Sequence, residues 1–178
     1  MRAVLWRGPE GSLERCSLVQ TRAGARLAGT VLAAESGTPF EVRYAVDVDR
    51  SWTTHRAEVR IADGPSLVLD ADGRGHWAVS GRRVLALDGC RDVDLEISPS
   101  TNTLPIRRLR PQVGKTAPAR AAWVRFPSLA VEPLDQTYER IGETSWRYRS
   151  GDFEAELEVD EDGLVVRYGD LWEAVARG

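Results

Sequence analysis

The sequence predicts an all-β fold: a single, strongly bent antiparallel sheet forming a barrel or half-barrel, with little helix. Three observations predict it. Apolar and polar residues alternate with period 2 through most of the chain. Short Asp/Gly-rich punctuation separates the alternating runs. Strand-like runs recur about every ten residues from Glu14 to Tyr168, a spacing that suits a meander closing on itself. At 178 residues and 42% apolar content the chain is large enough for one core, and no linker divides it, so residues 1–178 are read as a single domain.

Along the chain, "FEVRYAVD" places Phe40, Val42, Tyr44 and Val46 opposite Glu41, Arg43, Ala45 and Asp47. "THRAEVRI" sets Thr53, His55, Ala57, Val59 and Ile61 against a face holding Trp52, Arg56, Glu58 and Arg60. "DVDLEI" alternates Val93, Leu95 and Ile97 with Asp92, Asp94 and Glu96, and "DFEAELEVD" alternates Phe153, Ala155, Leu157 and Val159 with three glutamates. Each is the pattern of a half-buried strand. "DADGRG", "SGRR", "DGC" and "DEDG" read as hairpin turns, where glycine takes positive φ at no steric cost. Residues 98–118 lack alternation; "LPIRRLR" within them reads as a short edge strand that tolerates Pro105. The tail "GDLWEAVARG" reads as a short helix with Asp170 as N-cap.

A formal charge of -3 gives no global field for nucleic acid or an anionic membrane surface. No run approaches the roughly 18 apolar residues of a membrane span, and "MRAVLWRGPEG" lacks the apolar core of a secretory signal, so a cytoplasmic protein is expected. Cys16 and Cys90 read as reduced, buried thiols. The basic residues are arginines except Lys115, so an anion would meet guanidinium forks.

No cofactor or metal is expected. The two "DxDG" turns lack the glutamate a calcium loop needs at its twelfth position, where Gly81 and Leu171 stand. His55 and His76 have no metal-ligand spacing, and no nucleophile elbow occurs. Asp92, Asp94 and Glu96 form a carboxylate row at steps of about 6.6–6.8 Å. A solvated strand face, ion pairs with Arg107 and Arg108, or paired acid/base chemistry would each explain it. Mixed aromatic and polar faces give a second candidate: Trp52 with Arg56, Trp146 with Tyr148, and Gln136 with Tyr138 and Arg140. Such faces pack as structure or line a cavity for an amphiphile, with rings on the apolar body and polar groups on the head.

The strings "GHWAVSG", "LDGCRDVDLEISPSTNTLPIRRL", "AAWVRFP", "QTYERI", "WRYRS" and "EVDEDGLVVRYGDLW" resemble the bacterial family described as putative glycolipid-binding, formerly a domain of unknown function, from about Trp6 to Trp172. The resemblance implies a strongly bent sheet similar in shape to periplasmic lipoprotein carriers. It brings forward Asn102, Arg107 and Arg108 in its most specific string, Gln136 and Tyr138 in "Q-x-Y", and Tyr148 in "Y-R". It carries no catalytic residue. The expected function is non-enzymatic binding of a glycolipid or other amphiphile, with arginine forks on an anionic head and Asn102 and Gln136 on sugar hydroxyls. The alternatives are a protein-interaction module using exposed strand edges and a carboxylate-dependent hydrolase.

Overall fold

The computed structural model describes Met1–Gly178 and is all-β: one fifteen-stranded, strongly curled sheet and one short helix. The strands are β1 (Arg2–Arg7), β2 (Leu13–Gln20), β3 (Gly24–Glu35), β4 (Thr38–Asp49), β5 (Thr54–Ile61), β6 (Ser66–Ala71), β7 (Trp77–Val79), β8 (Arg82–Arg83), β9 (Asp92–Leu95), β10 (Lys115–Val124), β11 (Val131–Arg140), β12 (Ser145–Ser150), β13 (Phe153–Val159), β14 (Val165–Tyr168) and β15 (Trp172–Arg177). The helix α1 spans Thr103–Leu109.

Two antiparallel meanders, β1–β8 and β10–β15, are joined by the pairing of β1 with β15. One pair departs from the antiparallel expectation: β9 runs parallel to β10, with α1 in the crossover between them. The sheet stays open, but its β9 end folds back towards β5. The Thr54 amide donates to the Arg91 carbonyl at 3.0 Å, and the Val93 amide donates to Thr54 Oγ1 at 3.2 Å.

The alternating residues fill the interior, with Val42, Tyr44 and Val46 of β4, Val59 and Ile61 of β5, and Leu157 and Val159 of β13 all buried. The helix sits between the two meanders. Leu104 packs into the core of the first, and Ile106 into that of the second, with Tyr138, Trp146 and Tyr148. No helix is long and apolar enough to cross a membrane. Cys16 and Cys90 are free and buried, and burial pushes their thiols up to about 12 and about 11.

Several local expectations are corrected. "LPIRRLR" is helical. Pro105 lies in the first turn, where the missing N–H would have no intrahelical partner anyway. Arg107 and Arg108 occupy the last turn, favourable to the helix dipole, and Arg110 closes it in the left-handed conformation at φ 43°. The tail is strand β15, because β1 and β14 supply hydrogen-bonding edges on both sides that outweigh local helical preference. "DGC" follows a 3₁₀ turn at Leu85–Leu87 and leads the chain across to β9. His55 is exposed: the pairing passes from Asp47–Arg56 to Val48–Thr54, so His55 is the extra residue of a bulge. Trp52 shares no strand face with Arg56. It sits in the turn before β5 at φ 64°, buried, while Arg56 binds Glu58 and Asp70 at the surface.

Candidate functional site

The carboxylate row is graded rather than uniformly solvated, from buried Asp92 through half-buried Asp94 to exposed Glu96. Asp92 is 1% exposed and accepts both Arg108 Nε (3.0 Å) and Nη2 (2.5 Å), a fork made possible because α1 lies beside β9. Burial still raises its carboxyl above the usual range. Glu96 accepts Arg125 Nε at 3.0 Å and the Phe126 amide at 2.7 Å. Asp94 differs. Its one protein hydrogen-bond partner is the Gln136 side-chain amide, and burial pushes its carboxyl up to about 6, with Glu96 and Asp92 adding to the rise.

Asp94 opens onto a cleft of about 430 Å³ between the Leu95–Asn102 segment and the inner face of β10–β15. Trp123, Tyr148, Phe153, Tyr168 and Trp172 supply aromatic surface, while Ser98, Asn102 and Ser150 add neutral hydrogen-bonding groups. Tyr148 stands edge-on to Tyr138, Phe153 and Tyr168 with ring centroids 5.2–6.0 Å apart, which fixes the rings. Phe153 and Leu171 are 44% and 41% exposed at the rim. A second cleft of about 460 Å³ shares Glu96, Leu171 and Trp172 with the first and continues past Ser12, Phe40 and Phe126. Gly8 allows this wall to form, since a Cβ there would run into the Trp172 ring.

Behind Ser98 lies a fully enclosed polar cluster. Glu14 of β2 is 0% exposed, and its Oε1 accepts from Tyr44 and from Ser98 Oγ, the latter at 2.8 Å. Tyr44 also reaches Ser100 Oγ at 2.7 Å. Gly29 of β3, paired with both Cys16 and Tyr44, leaves room for the phenol; a Cβ there would sit 2.5 Å from the Tyr44 oxygen. Glu14 Oε2 and Ser12 Oγ are buried without a partner. With no cation nearby, burial pushes the Glu14 carboxyl up to about 8 despite the hydroxyl donors Tyr44 and Ser98.

The structure brings together some of the sequence candidates. Asn102 and Tyr148 line the cleft. Gln136 bridges Asp94 and the Tyr148 hydroxyl, the latter at 3.0 Å, and Tyr138 donates to Asn102 Oδ1 at 2.9 Å. Arg107, Arg108, Trp52 and Arg56 lie elsewhere. Arg107 stacks on Trp52 at 4.6 Å, Arg108 holds Asp92, and Arg56 is superficial. Sequence reasoning did not single out Trp123, Phe153, Tyr168 and Trp172 as one group, because they come from four strands. It gave no signal for Glu14, whose "LERC" context reads as an ordinary alternating strand.

Residues 3–174 match the family described as putative glycolipid-binding. The chain is also similar to the crystal structure of a DUF1089 family protein from Pseudomonas aeruginosa, with 36% identity, 94% of each chain covered and a TM-score of 0.80. No curated protein matches. This chain therefore belongs to the putative glycolipid-binding family, formerly DUF1089.

Proposed function

We propose that this protein binds an amphiphile in the aromatic cleft and performs no chemistry on it. The observation that carries this reading is the composition of the cleft. Five aromatic residues and Leu95, Leu134 and Leu171 offer apolar surface, beside the convergent polar groups of Asp94, Ser98, Asn102 and Ser150. Burial of a ligand chain supplies about 0.8 kcal/mol per CH₂, and the fixed polar groups orient the head. The family description, putative glycolipid-binding, agrees with this class of ligand.

Two features weigh against the other readings. Strand addition needs an accessible edge, yet β8 is two exposed arginines long and β9 folds back towards Thr54. A hydrolase built on the carboxylate row would rest on Asp94 and Glu96, since Arg108 closes off Asp92, and Glu96 is itself held by Arg125 and the Phe126 amide.

Native mass spectrometry and solvent extraction of the purified protein test the proposal, together with melting curves in the presence of short-chain amphiphiles. A co-purifying amphiphile, or a saturable rise in melting temperature that Trp172→Ala and Phe153→Ala weaken, is expected. Absence of any bound species and of any melting shift across the series would refute it.

A further inference from the structure

We infer that the head group taken by this site carries no negative charge: the two clefts together accept a single-chain amphiphile whose head is neutral and hydroxyl-bearing or cationic, and they discriminate against phosphate and carboxylate heads. This inference rests on the binding reading above and reverses the polarity that the arginine-rich segment suggests. It stands on an inventory of charge. The chain carries 24 Lys and Arg residues, yet none lines either cleft. The charged groups that do are all carboxylates: Asp94 and Glu96 in the first cleft, and Glu10, Glu35 and the shared Glu96 in the second.

The arginines nearby in sequence or space are committed elsewhere. Arg108 forks onto buried Asp92. Arg107 lies over Trp52. Arg125 stacks on the Trp123 ring at 4.3 Å but is bound to Glu96 and Glu132 at 3.0 and 3.1 Å. That pairing compensates Glu96, which leaves Asp94, Glu10 and Glu35 without an ion-pair partner. Asp94 has only the Gln136 amide, so a hydroxyl or ammonium donor from a ligand would complete its hydrogen bonding. An anionic head placed there would meet an uncompensated carboxylate at close range and in reduced dielectric. The remaining polar groups, Ser98, Asn102, Ser150 and the Tyr148 hydroxyl, both donate and accept. Glu96, Leu171 and Trp172 border both clefts, so a chain laid across them would run from the first cleft to a tail along Phe40, Ile97 and Phe126 in the second.

Three amphiphiles with the same decyl chain test this: decyl maltoside, decyltrimethylammonium and decyl phosphate, each titrated below its micelle concentration at pH 8 by calorimetry and tryptophan fluorescence. The maltoside or the ammonium compound should bind, and the phosphate should bind on the order of tenfold more weakly or worse, the size of one close like-charge contact. Asp94→Asn should narrow the gap. The exposed pair Glu10→Gln with Glu35→Gln, which risks no folding defect, should narrow it by a smaller factor. Equal or tighter binding of decyl phosphate overturns the inference while leaving amphiphile binding intact. No binding by any of the three refutes the binding reading itself, and the inference with it.

Discussion

Replacing Glu14 with glutamine perturbs one proton and almost nothing else. The substituted side chain keeps a carbonyl oxygen that accepts from Tyr44 and Ser98, and its amide nitrogen takes the place of Oε2, which has no partner in either case. The difference lies in titration. The native carboxyl is pushed up to about 8 from an ordinary 4.5 because it is fully enclosed. The folded state therefore keeps a proton that the unfolded chain gives up, so stability falls as pH rises between these values. A gap of about 3.5 pH units at about 1.4 kcal/mol each makes the full loss roughly 5 kcal/mol, of which roughly 3 has accrued by pH 7. Solvent screening gives no discount, because the side chain has no exposed surface. Glu14→Gln escapes this loss, and every other titrating group is common to both proteins. Urea unfolding at half-unit intervals from pH 4.5 to 8.5 should show the variant gaining on the wild type by roughly 4–5 kcal/mol across the range. In melting temperature this corresponds to about 10–20 °C for a chain of this size. A difference that stays flat within about 1 kcal/mol would show that Glu14 ionises normally, and would refute the account of an enclosed acid held neutral by burial.

Three further outcomes follow from the same geometry. Arg108→Ala strands the Asp92 carboxylate in the interior and should cost about 3–5 kcal/mol in urea unfolding, with amphiphile affinity changed little in whatever protein remains folded; a cost below about 1 kcal/mol would mean that Asp92 is not held as an ion. Arg107→Ala removes the stacking on Trp52 and should cost about 0.5–2 kcal/mol without loss of ligand affinity, measured by denaturation and titration side by side; a large affinity loss would return Arg107 to the binding site. Cys16 and Cys90, enclosed and with raised thiol values, should react with a thiol reagent only at the rate of unfolding, and a fast-reacting native fraction would contradict their burial.

The fold class was legible because it depends on a one-dimensional signal. Period-2 alternation at 40–47 and 153–159 commits those residues to strands whatever their neighbours are, and the Asp-Gly turns fix the reversals. Asp72 receives the amides of Arg74 and His76, and Asp160 those of Asp162 and Leu164, as turn chemistry requires. The family was equally legible, through the string around Asp92 to Leu109. The helix within that string was not, since seven residues hold too little periodicity to read, and Pro105 argues against a helix unless its place in the first turn is known. The tail could not be placed without β1, its partner from the other end of the chain.

The sequence by itself determined an all-β chain with buried thiols and a segment that groups acids with arginines, since each follows from composition and local pattern. Only the tertiary structure decided what those charges do. Curling the sheet around α1 brings Arg108 to Asp92 and Arg107 to Trp52, which gives both arginines partners within the protein. The same curl collects aromatic residues from β10, β12, β13, β14 and β15 around Asp94, and encloses Glu14 beneath Tyr44 and Ser98. Burial and charge compensation depend on which distant segments meet, and a chain read one residue at a time holds no record of that.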